Sequence, residues 1–158
     1  MKNRLILILV ALLLAGPAIA QQGQQARPAA APAPSATRSA GVDPNGALNA
    51  AFQVAQMVDA GRTAELWDGA SAVTKRLMQK QAFVNGVTSM RKQKGDVRGR
   101  AWVAVRRQQL AGTDKVPAGN YVSVELAAQV AGNKMLRELI TFRVDEDGVL
   151  RFSGYVME

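Results

Sequence analysis

The sequence predicts an α+β domain in which N-terminal helices pack on one face of a curved four-stranded antiparallel sheet. Three observations lead there. Apolar residues recur at helical spacing up to about Lys94 and with a period of two from Val97 onward. Turn-forming stretches, AGTDKVPAG, AGNK and EDG, cut the second half into four strand-length runs. The chain has 158 residues and no cysteine, so packing alone must hold the domain together.

Two segments precede the domain. Lys2 and Arg4, the apolar run Leu5 to Ala15, Gly16-Pro17 and the small-x-small end Ala18-Ile19-Ala20 follow the order of a secretory signal peptide cut after Ala20. The apolar run is too short to span a bilayer. The expected location is therefore periplasmic or extracellular. Residues 21–43 are rich in Ala, Pro and Gln and offer little to bury against the entropy of ordering, so they read as a disordered linker. The single folded domain is then 44–158.

Its elements follow in order. Asp43-Pro44 supplies a cap and a proline at the first helical position, and Leu48, Ala51, Phe52, Ala55 and Val58 mark one apolar side until Gly61 ends the helix. Thr63 is expected to cap a short segment with Leu66 and Trp67, and Ser71 another with Leu77 and Met78. A further helix runs from about Gln79 to Lys94, with Phe83, Val84, Val87 and Met90 inward and Gly95 at its end. The strands are Trp102 to Leu110, Tyr121 to Val130, Leu136 to Asp145 and Val149 to Met157.

Register follows from keeping apolar residues on one face, because a slip of one residue exchanges the faces. A three-residue loop Glu146-Asp147-Gly148, with Gly148 left-handed, sets Val144 opposite Leu150, Phe142 opposite Phe152, Ile140 opposite Gly154 and Glu138 opposite Val156. A loop of Gly132, Asn133 and Lys134 sets Leu126 opposite Ile140 and Ala128 opposite Glu138. On the other face Arg143 opposes Arg151, and that face reads as solvated.

Glu138 is the exception in this pattern: a carboxylate in phase with Leu136, Ile140 and Phe142. Unpaired, it would cost several kcal/mol to bury, so it must be paired, protonated or hydrated. Arg91, Arg98 and Arg100 are the available cations, with a tyrosine hydroxyl as a further donor. Either a neutralised core group or a polar site at the mouth of the helix and sheet cone satisfies this requirement.

Other chemistry is narrowed by composition. With no histidine and no cysteine, the commonest general base, the commonest metal ligands and the thiol nucleophile are missing, so neither a metal site nor a cofactor is expected. Asp145, Glu146 and Asp147 lack the later bidentate glutamate of a calcium loop and read as a turn. From residue 44 on, sixteen Lys and Arg stand against eleven Asp and Glu, and Arg91, Lys92, Lys94, Arg98, Arg100, Arg106 and Arg107 have only Asp96 nearby in sequence. Such a patch attracts anionic surfaces, while nucleic acid is not expected outside the cytoplasm.

The succession ELWDGAS, MRKQKGDVRGR, PAGNYVSVEL, NKMLRELITFRVDEDG and SGYV, between about Ala47 and Val156, resembles the family known as domain of unknown function 4019, small secreted bacterial proteins. The matching positions are Trp67, Ser71, Arg91, Gly95, Arg100, Pro117, Gly119, Tyr121, Glu138, Asp147, Gly148, Gly154 and Tyr155. Phe83 and Leu150 stand where the family pattern has tryptophans. The resemblance implies a cone-shaped, cystatin-like or nuclear-transport-factor-two-like fold and no established activity.

The expected function is a non-catalytic binding or interaction module taking a small ligand or envelope protein around Glu138, Arg91, Arg100, Tyr121 and Tyr155. The alternatives are a carboxylate-based lyase or isomerase using Glu138, and an anionic-surface binder acting through the Arg91 to Arg107 stretch.

Overall fold

The structure, a computed structural model, describes residues 42–113 and 116–158. The signal peptide expected over 1–20 lies outside the described residues, as does the linker expected over 21–43 apart from its last two positions.

Helix α1 (Pro44–Asp59) starts where Asp43 accepts from the N–H groups of Asn45 and Gly46, at 3.2 and 3.0 Å, and buries Ala47, Ala51, Val54, Ala55 and Val58. Gly61, at φ +71°, turns the chain into α2 (Thr63–Asp68). Thr63 is the first residue of α2 and not its cap. Arg62 holds the cap position and clasps Glu65 through its guanidinium. Ser71 caps α3 (Ala72–Leu77) as expected, accepting from the Val73 N–H at 3.3 Å. Helix α4 (Lys80–Lys94) turns Phe83 and Val87 inward and ends at Gly95, φ +82°.

Four strands follow: β1 (Val97–Leu110), β2 (Gly119–Val130), β3 (Met135–Val144) and β4 (Leu150–Met157). They form an antiparallel meander in the order β1-β2-β3-β4. The core lies between helices and sheet, where Val122, Val124, Leu126, Ile140, Phe142 and Phe152 meet α1, Leu66, Trp67 and Phe83. Phe83 bridges Trp67 and Phe152, with ring centroids 5.4 and 5.6 Å away. Burying each such large side chain contributes about 1.5–3 kcal/mol.

The last hairpin begins as the sequence predicts, with Val144 opposite Leu150, Phe142 opposite Phe152 and Gly148 at φ +78°. A β-bulge then places Gly154 opposite Thr141, so Tyr155 opposes Ile140 and Met157 opposes Glu138. Tyr155 and Met157 are therefore buried, while Val156, expected inside, is exposed. The β2–β3 hairpin keeps the expected faces but slides by two residues, setting Leu126 opposite Glu138 and Val124 opposite Ile140. Its loop is Ala131–Asn133, closed by Val130 N–H to Lys134 C=O at 2.9 Å, because Gly132 and Asn133 both take positive φ.

Candidate functional site

Glu138 projects from the helix-covered face of β3 with 0% of its surface exposed. From β1, Arg100 donates through Nε to Oε2 at 2.5 Å and through Nη2 to Oε1 at 3.2 Å. From β4, the Tyr155 hydroxyl donates to Oε1 at 2.6 Å. The arginine extends the network outward, donating from Nη1 and Nη2 to the carboxylate of Asp59 at 2.6 and 2.9 Å. Arg91, on α4, donates to the same Asp59 at 2.8 Å and lies 3.4 Å from the Met157 sulfur.

Burial works against the charge of Arg100, but its hydrogen bonds to Asp59 and Glu138 outweigh that and raise its pKa above the usual arginine value. Burial and the neighbouring Glu138 carboxylate push the Tyr155 phenol up, so the hydroxyl keeps its proton and donates. A general base must come within hydrogen-bond reach of a substrate proton. Glu138 has no exposed surface through which to do so. The arrangement ties together α1, α4, β1, β3 and β4 as an ionic brace.

Of the five residues singled out from the sequence, Glu138, Arg91, Arg100 and Tyr155 therefore come together, and Tyr121 stands apart. Tyr121 is on the opposite sheet face, across from Arg143, and donates to the Pro117 carbonyl at 2.9 Å. Asp59, the carboxylate that joins the two arginines, was missed. The signal for it was its place in α1 one residue after Val58 and four after Ala55, at the edge of the buried stripe.

A second polar cluster occupies the far side of the sheet. Arg143 and Arg151 face each other, as the register predicts, but that end is not solvated: Arg143 is 6% exposed. Asp145 sits between them, 2.7 Å from Arg143 Nη1 and 3.3 Å from Arg151 Nη1, and also accepts from the buried Ser71 hydroxyl at 2.6 Å. Burial would raise the Asp145 pKa, but Ser71 and Arg143 outweigh it and hold the carboxyl below the ordinary aspartate value. Arg151 pulls the exposed Asp147 down to about 2. The Arg143 guanidinium lies over Gly119, where a Cβ would meet its Nε at 2.8 Å.

Two adjoining cavities lie beside β4. One, of about 490 Å³, has Gln108, Tyr121, Ser123 and Thr141 among its polar lining and Leu77, Met78 and Val116 among its apolar lining. The other, of about 340 Å³, runs between α4 and β4 along Phe83, Gly86, Met90, Tyr155 and Val156. Thr74, Met78, Ser153 and Gly154 line both, so the cavities meet at the bulge. Both tyrosines named from the sequence line them, one in each. Leu77, Met78, Val116 and Val156, on their walls, are half of the large apolar side chains that the described residues expose.

Residues 50–155 match the family model described as protein of unknown function DUF4019. The chain belongs to this family. No curated protein and no solved structure matches it.

Within this DUF4019 domain, the positions that carry the resemblance fall largely into the two polar clusters. Arg91, Arg100, Glu138 and Tyr155 build the brace, while Ser71, Gly119, Tyr121 and Asp147 gather around Arg143 and Asp145. The basic stretch of the DUF4019 domain is compensated in part. Arg91 and Arg100 are neutralised by Asp59 and Glu138, and Arg106 by Glu125. Among the described residues, no helix is long and apolar enough to cross a membrane.

Proposed function

We propose that this DUF4019 domain is an exported, non-catalytic binding module that holds a small amphiphilic ligand in the groove crossing β4 at Gly154. The observation that carries the reading is the junction of the two cavities, about 490 and 340 Å³, at a glycine. Their sizes suit a small ligand, which pockets of about 300–1,000 Å³ accommodate. The hydroxyls of Ser123, Thr141 and Ser153 offer hydrogen bonds along one part, and Phe83, Val87 and Met90 offer apolar contact along the other. In this reading Glu138, Arg91 and Arg100 do not touch the ligand but fix Tyr155, which forms part of the wall. Export rests on the leader-like order of residues 1–20. The alternative of a lyase or isomerase would assign the chemistry to Glu138, and its enclosed carboxylate speaks against that. No cofactor is invoked.

Gly154 also supplies the test. A Cβ there would meet only the Thr141 Cβ, at 3.9 Å, so Gly154→Val fits the strand while filling the junction. Octyl glucoside below its micelle concentration, an amphiphile with hydroxyls at one end, is the probe. Its amide shifts should concentrate at Ser123, Thr141, Ser153 and Gly86 and disappear in Gly154→Val. Shifts scattered over the surface, or unchanged in the variant, would refute the assignment.

A further inference from the structure

The opposite edge of the sheet carries a separate surface. β1 spans Val97–Leu110 and pairs only with β2, so among the described residues its outer edge is unpaired. An edge of this kind presents a row of free N–H and C=O groups. The reciprocal bonds between Arg137 and Glu158, 2.7 and 2.9 Å, set the alternation through β3 and β2. Carried across to β1, it turns the main-chain groups of Arg100, Trp102, Val105 and Arg107 toward the open edge.

Charge distinguishes this edge from a general docking strand. β1 holds Arg98, Arg100, Arg106 and Arg107 and no carboxylate. Arg100 and Arg106 are neutralised from within the domain, and Arg107 bonds the Val42 carbonyl. Arg98, and Lys92 and Lys94 just before the strand, have no carboxylate partner among the described residues. Midway along the strand, Trp102 and Val103 are 61% and 50% exposed. Aromatic side chains of this kind are the anchors that dominate binding energy in interfaces.

We propose that β1 docks an extended acidic segment of a partner protein, which adds as a fifth strand and places an apolar side chain against Trp102. Main-chain pairing supplies general affinity, and carboxylates opposite Arg98 and the flanking lysines supply selection. A second copy of this chain fits poorly, because antiparallel β1 strands would set arginines against arginines. The proposal is independent of the Gly154 groove.

The test uses the isotope-labelled protein and a short peptide of alternating valine and glutamate, with the same peptide N-methylated at alternate residues as control. The plain peptide should shift the amides of Arg100, Trp102, Val105 and Arg107, with affinity that falls as salt rises. N-methylation should weaken binding about tenfold or more, as should Trp102→Ala, corresponding to the loss of one interface anchor. Arg98→Glu should weaken binding without changing the unfolding midpoint. Equal binding of the N-methylated peptide, or binding indifferent to both substitutions, would overturn the proposal. So would β1 shifts produced by self-association alone, or by phosphatidylglycerol vesicles while the peptide produces none.

Discussion

The Tyr155 hydroxyl meets the Glu138 carboxylate at 2.6 Å because the strand that carries the tyrosine contains an extra residue. Without the bulge between Phe152 and Gly154, Val156 would face Glu138 and the phenol would point away. The bulge thus supplies the third hydrogen bond that lets a carboxylate remain at 0% exposure.

Tyr155→Phe should therefore cost about 2 kcal/mol, the worth of a hydrogen bond to a charged group. Glu138→Gln should cost more, about 3 kcal/mol, because it leaves Arg100 buried with one carboxylate in place of two. Urea denaturation measures both. Two variants as stable as the parent would show that the brace carries no load.

Asp59 and Arg100 should be energetically coupled. In a double-mutant cycle of Asp59→Asn and Arg100→Met, the interaction energy is expected at about 1–2 kcal/mol, as for residues sharing one network. Additive single effects would mean that Arg100 relies on Glu138 alone.

Acid sensitivity should trace to Asp145. Its folded pKa lies below its unfolded value, so the folded state binds fewer protons and stability rises with pH through this range. The contribution is complete above the unfolded aspartate value of about 4 and disappears as pH falls through the folded pKa. Ser71→Ala removes one of the groups that hold the pKa down, so its acid-unfolding midpoint should move to higher pH. A midpoint unchanged from the parent would exclude Asp145 as the acid trigger. Asp147, depressed to about 2 but exposed, is screened and should contribute little.

Gly119→Ala and Gly154→Val should behave oppositely. At Gly119 a Cβ would come 2.8 Å from Arg143 Nε and 3.1 Å from Nη2, at φ +156°. The arginine side chain is 7% exposed and cannot move aside cheaply. A loss of about 1–3 kcal/mol is expected there, and none of that size at Gly154. Differential scanning calorimetry distinguishes them, and a neutral Gly119→Ala would refute the packing of Arg143 on the strand.

Much of this architecture was legible from periodicity. The switch from helical to alternating spacing near Val97, the cap at Ser71 and the turn at Gly148 each express a local rule. Glu138 was legible as an anomaly of phase. What local rules did not reach was pairing over long separations: Asp59 lies 41 residues from Arg100, and Ser71 lies 74 from Asp145. The bulge in β4 was equally hidden, because simple alternation fits Phe152, Gly154 and Val156 as well as the bulged path fits Tyr155 and Met157. The slide of β2 on β3 by two residues preserved every face, so a criterion based on faces could not detect it.

The extra residue in β4 makes the sidedness of the chain's last segment depend on one residue staying out of the ladder. Deleting Ser153 would remove the bulge yet leave every side chain downstream where it is, with Gly154 opposite Thr141, Tyr155 opposite Ile140 and Met157 opposite Glu138. Straightening the strand with Ser153 kept in the ladder is what would exchange the sides, turning Val156 inward, depriving the acidic interior residue of its proton donor and rebuilding the groove wall in valine. What this interior receives is thus decided by which residue the ladder skips and not by how many residues follow Phe152.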